Sequence, residues 1–379
     1  MLQAMKKTFI LLFALAAAAP FSSAQEQAER SLVFSNEVRV PATSVKSQGR
    51  SSSCWCFSGI SFVESEIIRL NKIGKEADYP ALSEAFVINK SLHDRGIRYV
   101  RLNGHLRACP GSEGADVLEV IRKYGIVPRE VYPGPDFVND RTVFREMTTS
   151  IRGYLKAVVE RRDKPLNPQW LDAFDGILAG YLGGFPPESF SEGGKTWTPG
   201  QYRDKWKIDC SKYVNIASVT DVPYGETFVL EIMDNWRWTP SLNVSLDDFV
   251  GVIDKAIDMG YSVQIAADIT QQGNKRDGYA TVVEEGAPYT LAFPDEETKT
   301  TPALRQALFD AQINTDDHAM HLIGRAYDQF GRKFFVVKDS QGDKGLFHGY
   351  CYMSEEYVRR SVLHILVHED VLNSYREKR

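Results

Sequence analysis

Gln48-Gly49-Arg50-Ser51-Ser52-Ser53-Cys54-Trp55-Cys56-Phe57 runs directly into an apolar repeat at Phe57, Ile60, Val63, Ile67, Ile68 and Leu70. Steps of three and four residues predict a helix, with Gly74 as its stop signal. Cys54 therefore stands at a helix N-terminus. Unpaired N–H groups and the positive end of the helix dipole favour a thiolate there, lowering a thiol pKa from about 8.5 toward acidic values. A thiolate is the attacking species in nucleophilic catalysis, so Cys54 is the expected nucleophile. Gln48 lies six residues earlier, close enough for the loop to fold back and bring its side-chain amide beside the sulfur. That amide and the backbone N–H of Cys54 would supply two donors to an oxyanion. Gly49 and the serines at 51 to 53 permit the tight backbone this needs. Cys56, two residues along the helix, is expected to face away from Cys54 as a small core residue.

Gln48-Gly49, four residues, Cys54-Trp55 and Phe57 together resemble the active-site signature of papain-like cysteine peptidases. Val45-Lys46-Ser47 before it, Leu82-Ser83-Glu84 after it and Lys123-Tyr124-Gly125-Ile126-Val127-Pro128 beyond resemble the bleomycin hydrolase and aminopeptidase C branch, and the likeness runs from about Val40 to about His368. The resemblance implies an α+β, papain-like fold. A helical half would span about 40–133 and an antiparallel β half about 245–370, with a cleft between them. An insertion over about 134–244 and a tail over 371–379 would complete the single domain. The resemblance also implies peptide substrates and ring-shaped homo-hexamers. In that branch the C-terminal carboxylate lies in the cleft, where it can hold a substrate's free amino group.

The second half of the site is expected at Asp317-His318-Ala319-Met320-His321-Leu322-Ile323-Gly324, a strand that begins at a polar turn. A histidine at a strand start can meet a cleft as catalytic base, and His-Ala followed by apolar residues and Gly, as in the resembled family, selects His318. His321, three residues on, would point to the opposite face of the strand. Phe334 to Lys338 reads as an apolar strand ending in Asp339-Ser340-Gln341-Gly342, where the family shows Asn-Ser-Trp-Gly. Asp339 replaces the asparagine and Gln341 the tryptophan. An aspartate can still accept a hydrogen bond from a histidine N–H and favour the imidazolium, whereas loss of the tryptophan cover would admit water. The alternative for Asp339 is a solvated turn residue. Gly111 and Ser112, within Cys109 to Gly114, stand where the family carries a Gly-Gly pair that lines the substrate groove; a plain turn is the other reading. Trp55 and Asp317, the neighbours of the nucleophile and base, complete the expected substrate-binding set.

Lys6 and Lys7, an apolar run from Thr8 to Ala19 and the small residues Ser22-Ser23-Ala24 form a signal-peptide pattern over residues 1–24. That run is shorter than the roughly twenty residues a bilayer span needs, so a cleaved signal and export to a periplasm or outside the cell are expected, with no membrane attachment afterwards; an uncleaved interfacial anchor is the alternative. Without the two lysines the formal net charge passes from −5 to −7. A basic patch for nucleic acid is thus not expected. The five cysteines, Cys54, Cys56, Cys109, Cys210 and Cys351, leave at least one thiol unpaired and allow up to two disulfides. Cys54 and Cys56 have no companion Cys/His pair with zinc-like spacing, and no metal or cofactor is expected.

Farther along, the sequence predicts a helix over Thr142 to Asp163, strand-like alternation over Tyr213 to Val229 and a helix over Ser245 to Met259 capped by Ser245. Strands are predicted over Tyr261 to Ile269, Gly345 to Ser354 and Val362 to Val367, and a helix over Leu304 to Ala311. Trp170, Trp197, Trp206, Trp236 and Trp238 are expected in the core or the cleft walls. Three functions compete: an aminopeptidase acting through Cys54, an endopeptidase or acyl-transfer enzyme with the same chemistry, and an inactive binding protein that retains the fold. Only about fifteen residues separate Ala24 from Val40, too few for a recognisable inhibitory pro-segment, which argues against an endopeptidase zymogen.

Overall fold

Apolar spacing converts into elements in chain order in the computed structural model, which describes residues 32–161, 164–270, 274–275, 278–283 and 297–377. Residues 1–24, where a signal peptide is expected, and residues 378–379 of the tail lie outside them. The helical half contains β1 (Ser35–Arg39), α1 (Cys54–Asn71), α2 (Glu84–Arg101) and α3 (Gly114–Tyr124). It is followed by α4 (Val143–Glu160), α5 (Gln169–Leu182), a hairpin of β2 (Phe190–Glu192) and β3 (Lys195–Trp197), and α6 (Pro199–Lys205). Then come β4 (Tyr213–Ala217), β5 (Thr227–Val229), β6 (Pro240–Asn243), α7 (Leu246–Asp258), β7 (Val263–Ala267), β8 (Asn274–Lys275) and β9 (Tyr279–Ala280). The chain closes with α8 (Pro302–Asp310), β10 (His318–Tyr327), β11 (Lys333–Lys338), β12 (Tyr350–Ser354), α9 (Glu355–Ser361), β13 (Val362–His368) and α10 (Glu369–Arg376). Among the described residues no helix is long and apolar enough to cross a membrane.

The strands lie in the order β5-β6-β4-β13-β7-β10-β11-β12-β9-β8, with β1 added on β10. Pairing is antiparallel through the centre and parallel at β4–β6 and β12–β9. α1 packs across β10 and β7 and against α2 and α3, so it is buried nearly all round. Phe57, Ile60, Val63 and Ile67 join Phe86, Ile88, Val117 and Ile121 in one core, which Ala319 and Leu366 close from the sheet. The fold is the expected α+β arrangement of a helical half on a largely antiparallel sheet.

Four details differ from the sequence reading. α1 ends at Asn71 because Lys72 adopts a left-handed conformation (φ 52°), so the helix stops before Gly74. The region expected as an insertion divides: α4 and α5 pack on α2, whereas β4 to β6 extend the main sheet through β4–β13. The alternation over Tyr213 to Val229 is therefore two strands separated by a loop. The polar tail is helical as far as Arg376, with Val371 and Leu372 buried and Tyr375 donating to Asp248 at 2.9 Å on α7.

Candidate active site

Cys54 is the first residue of α1, where no preceding turn occupies its N–H. The loop before it is held from the sheet. Gln48 N–H donates to Ser340 O at 2.8 Å, and Ser340 Oγ donates to Gln48 Oε1 at 2.6 Å. That second bond fixes the amide's orientation and leaves Nε2 as the outward donor. Gly49 is left-handed (φ 57°), and a Cβ there would meet Phe137 O at 1.6 Å, so no other residue fits this turn. Cys56 is fully buried against Glu84 O, and burial raises its thiol well above the usual range, as expected of a core cysteine. All five cysteines are free thiols.

His318 opens β10 and is buried beside Cys54; its Nε2 lies 2.7 Å from Asp339 Oδ1. Burial pulls the imidazole down. Hydrogen bonds to Asp339 and Cys54, with the charges of both, outweigh that and hold His318 well above its ordinary value. Asp339 remains 24% exposed, and the Ser340 N–H also donates to its Oδ1 at 2.6 Å. Gln341 bridges to Ser47 at the position without tryptophan, and the His318–Asp339 contact is kept. His321 faces the other way and meets Ser61 Oγ on α1 at 2.8 Å through Nδ1. Burial lowers it well below the usual histidine range, which makes it a neutral core residue.

Behind this pair lies a buried charged network. Glu64 accepts from Lys46 Nζ at 2.8 Å, Thr43 Oγ1 at 2.5 Å and Leu82 N–H at 2.9 Å, and Lys338 donates to Ser61 and Thr43. Lys46 also binds Glu84 at 2.8 Å, tying α1 to α2.

The groove residues have separate roles. Trp55 is 1% exposed and its Nε1 donates to Pro110 O at 2.8 Å, so it anchors the 109–114 segment beside α1 rather than offering an open face. Gly111 O accepts from Arg95, and the Asp234 carboxylate packs against its Cα side. Ser112 is buried, donating to Asp116 and accepting from Trp236 Nε1 at 2.6 Å. Asp317 accepts from Ile269 N–H at 2.9 Å, and burial with the neighbouring Asp268 pushes it up to about 6. Trp236 is core, as expected, whereas Trp238 is 54% exposed under the Arg98 guanidinium. Sequence reasoning missed Ser340 as the holder of Gln48, although it adjoins Asp339. It also missed Asp234, which reaches the segment from the loop between β5 and β6 without any motif.

A helix-borne cysteine, a strand-borne histidine and an aspartate in line define the class: the chain is a papain-like cysteine peptidase. The Peptidase C1-like family model matches residues 190–378. Aminopeptidase C of Lactobacillus delbrueckii subsp. lactis is 26% identical over 403 residues, covering 94% of this chain and 86% of that protein. Aminopeptidase C of Streptococcus thermophilus is 23% identical, covering 92% and 85%. The crystal structure of PepW from Lactobacillus rhamnosis superimposes with a TM-score of 0.70 at 20% identity, over 94% of this chain and 86% of the other. Within that class the chain is similar to aminopeptidases C along most of its length.

Proposed function

We propose that this peptidase is an exported aminopeptidase in which Cys54 attacks the carbonyl of a substrate's first peptide bond. The observation that carries the reading is the line from Cys54 at the start of α1 through His318 to Asp339 at 2.7 Å. A raised imidazole beside a thiol favours the thiolate–imidazolium pair. Attack forms a carbon–sulfur bond and moves the carbonyl electron pair to oxygen, where the Cys54 N–H and Gln48 Nε2 stabilise it. Collapse breaks the carbon–nitrogen bond as His318 passes its proton to the leaving amine. Water then hydrolyses the thioester, with His318 as base. Asp339 holds the imidazole with Nδ1 toward the sulfur, the role asparagine has in the family pattern.

Supporting the exopeptidase part are the aminopeptidase C relatives, which align along most of this chain. Residues 1–24 are read as a signal removed on export, and a homo-oligomer belongs to the same reading through the resembled branch. The test uses protein lacking residues 1–24 under reducing conditions, with one peptide series bearing free or acetylated N-termini. Release of single N-terminal residues from the free series alone, abolished by Cys54→Ala, is the expected result. Cleavage inside acetylated peptides would make the enzyme an endopeptidase, and no Cys54-dependent cleavage would return it to a binding role.

A further inference from the structure

Three carboxylates lie within electrostatic reach of one another, one of them beside His318, and none serves the Cys54–His318 pair. Asp316 stands two residues before His318. Asp234 packs on Gly111 so closely that a Cβ there would meet both its carboxylate oxygens at 2.7 Å. Glu113 follows Gly111 and Ser112 on the segment that Trp55 anchors through Pro110 O. Glu113 occupies the N-cap of α3 but makes no cap bond, so its carboxylate is turned away from the helix's free N–H groups. It is 3% exposed and among the described residues its carboxylate receives no hydrogen bond; His364 Nε2 is 3.9 Å away. A buried carboxylate without a donor costs free energy unless a cation joins it.

Among the described residues no lysine or arginine pairs with Glu113. Arg237 is engaged with Asp94 and Asp116, and Arg95 directs Nη1 to Cys109 O and Gly111 O. Arg95 and Arg107 act on Asp234 only at longer range. Burial, with the charges of Asp116, Asp316 and Asp234, raises Glu113 well above the carboxylate range. Burial with Asp234 and Asp317 pushes Asp316 up to about 8 against the pull of His318. Burial also lowers His364 to about 4, so it is neutral near pH 7 and cannot balance Glu113.

We propose that Glu113, Asp234 and Asp316 form a cation subsite that takes the free α-ammonium group of the substrate's first residue. The inference rests on the aminopeptidase reading and gives it a cause. The α-nitrogen is two bonds from the carbonyl carbon that Cys54 attacks, so its charge must be met next to the Cys54–His318 pair. An acylated nitrogen brings no charge, and a longer peptide would press an uncharged amide onto these carboxylates. Both are therefore rejected, and scission is confined to the first bond.

The test compares wild type, Glu113→Gln, Asp316→Asn and Glu113→Asp on coumarin amides of leucine, its des-amino analogue, acetyl-leucine and acetyl-lysine. Wild type is expected to favour the free-amine substrate. Glu113→Gln and Asp316→Asn should each raise its KM by about tenfold to a hundredfold, with the des-amino amide unchanged and partial recovery in Glu113→Asp. The iodoacetamide alkylation rate of Cys54 reports whether each variant is folded and keeps an intact nucleophile. An unchanged ratio of leucine to des-amino cleavage, with alkylation intact, would overturn the subsite while leaving the aminopeptidase reading standing. Loss confined to acetyl-lysine would overturn it in favour of side-chain recognition. Equal cleavage of free and acetylated leucine by wild type would overturn both.

Discussion

Asp339 departs from the family asparagine, and its geometry implies a change in pH behaviour rather than loss of the site. Its Oδ1 stands 2.7 Å from His318 Nε2, and its charge helps to raise the imidazole. A group held above its ordinary value keeps its proton to higher pH, so the proposed thiolate–imidazolium pair persists until pH rises through the raised value. Asp339→Asn keeps an acceptor but removes the charge, and is expected to move the alkaline limb of kcat/KM to lower pH. Asp339→Ala removes the acceptor as well and should lower kcat by on the order of 10²–10⁴-fold. Asp316 predicts the opposite sign for stability. It titrates at about 8 in the folded chain and near 3.9 when unfolded. Between those values the folded chain holds a proton that the unfolded chain has released, so this group's contribution falls as pH rises from about 4 to about 8. Asp316→Asn should therefore raise the urea midpoint at pH 8 and leave it nearly unchanged at pH 4.

At the scale of the element, the loop and helix that carry the nucleophile were readable because their chemistry is local. Gln48, Gly49 and Cys54 lie within one turn and one helix start, and the periodicity from Phe57 to Ile68 needs no distant partner. Gly49 gives the direct test. Its Cβ position is filled by Phe137 O and its φ is 57°, so Gly49→Ala must move the turn that brings Gln48 to Ser340. Activity should fall with Cys54 still titratable by a thiol reagent, and stability should drop by about 1–3 kcal/mol. Where the cause is remote the sequence showed less: the alternation over Tyr213 to Val229 marked the strands β4 and β5 but not their place in the main sheet. β4 exists as a sheet strand because β13, far along the chain, pairs with it from Tyr213–His368 to Ala217–His364. α5 had a local signal in Phe174, Leu178 and Leu182, all buried, but the surrounding Gly, Pro and Trp masked it. α10 looked like a polar tail, because only Val371 and Leu372 turn inward and Tyr375 depends on α7 for its partner. Asp234 and Glu113 were equally hidden, since crowded carboxylates carry no spacing rule.

Across the whole molecule, the sheet edge that presents His318 is secured from behind by one buried arginine. Val362 and His318 both register on Ala267, so the start of β13 and the start of β10 flank the end of β7. Arg305, on α8 and 4% exposed, donates to Ser218 O at 3.0 Å, Arg359 O at 2.7 Å, Val362 O at 2.6 Å and Leu363 O at 3.0 Å. It thereby joins the end of β4, the end of α9 and the start of β13. Burial lowers this guanidinium to about 10, so it stays charged at neutral pH and its bonds are charge-assisted. Arg305→Met has the volume to fill the site but no donors, and leaves these carbonyls without their partner. Removing a buried charged donor of this kind is expected to cost about 3 kcal/mol or more, read as a lower urea midpoint with an unchanged slope. Arg305→Lys should recover only part of that, because one ammonium cannot span three segments. The effect on catalysis should be indirect: kcat near wild type at 10 °C, where the variant is folded, and a loss on warming that follows its unfolding curve. A low kcat at 10 °C in a fully folded variant would instead mean that Arg305 sets the position of His318 through β7.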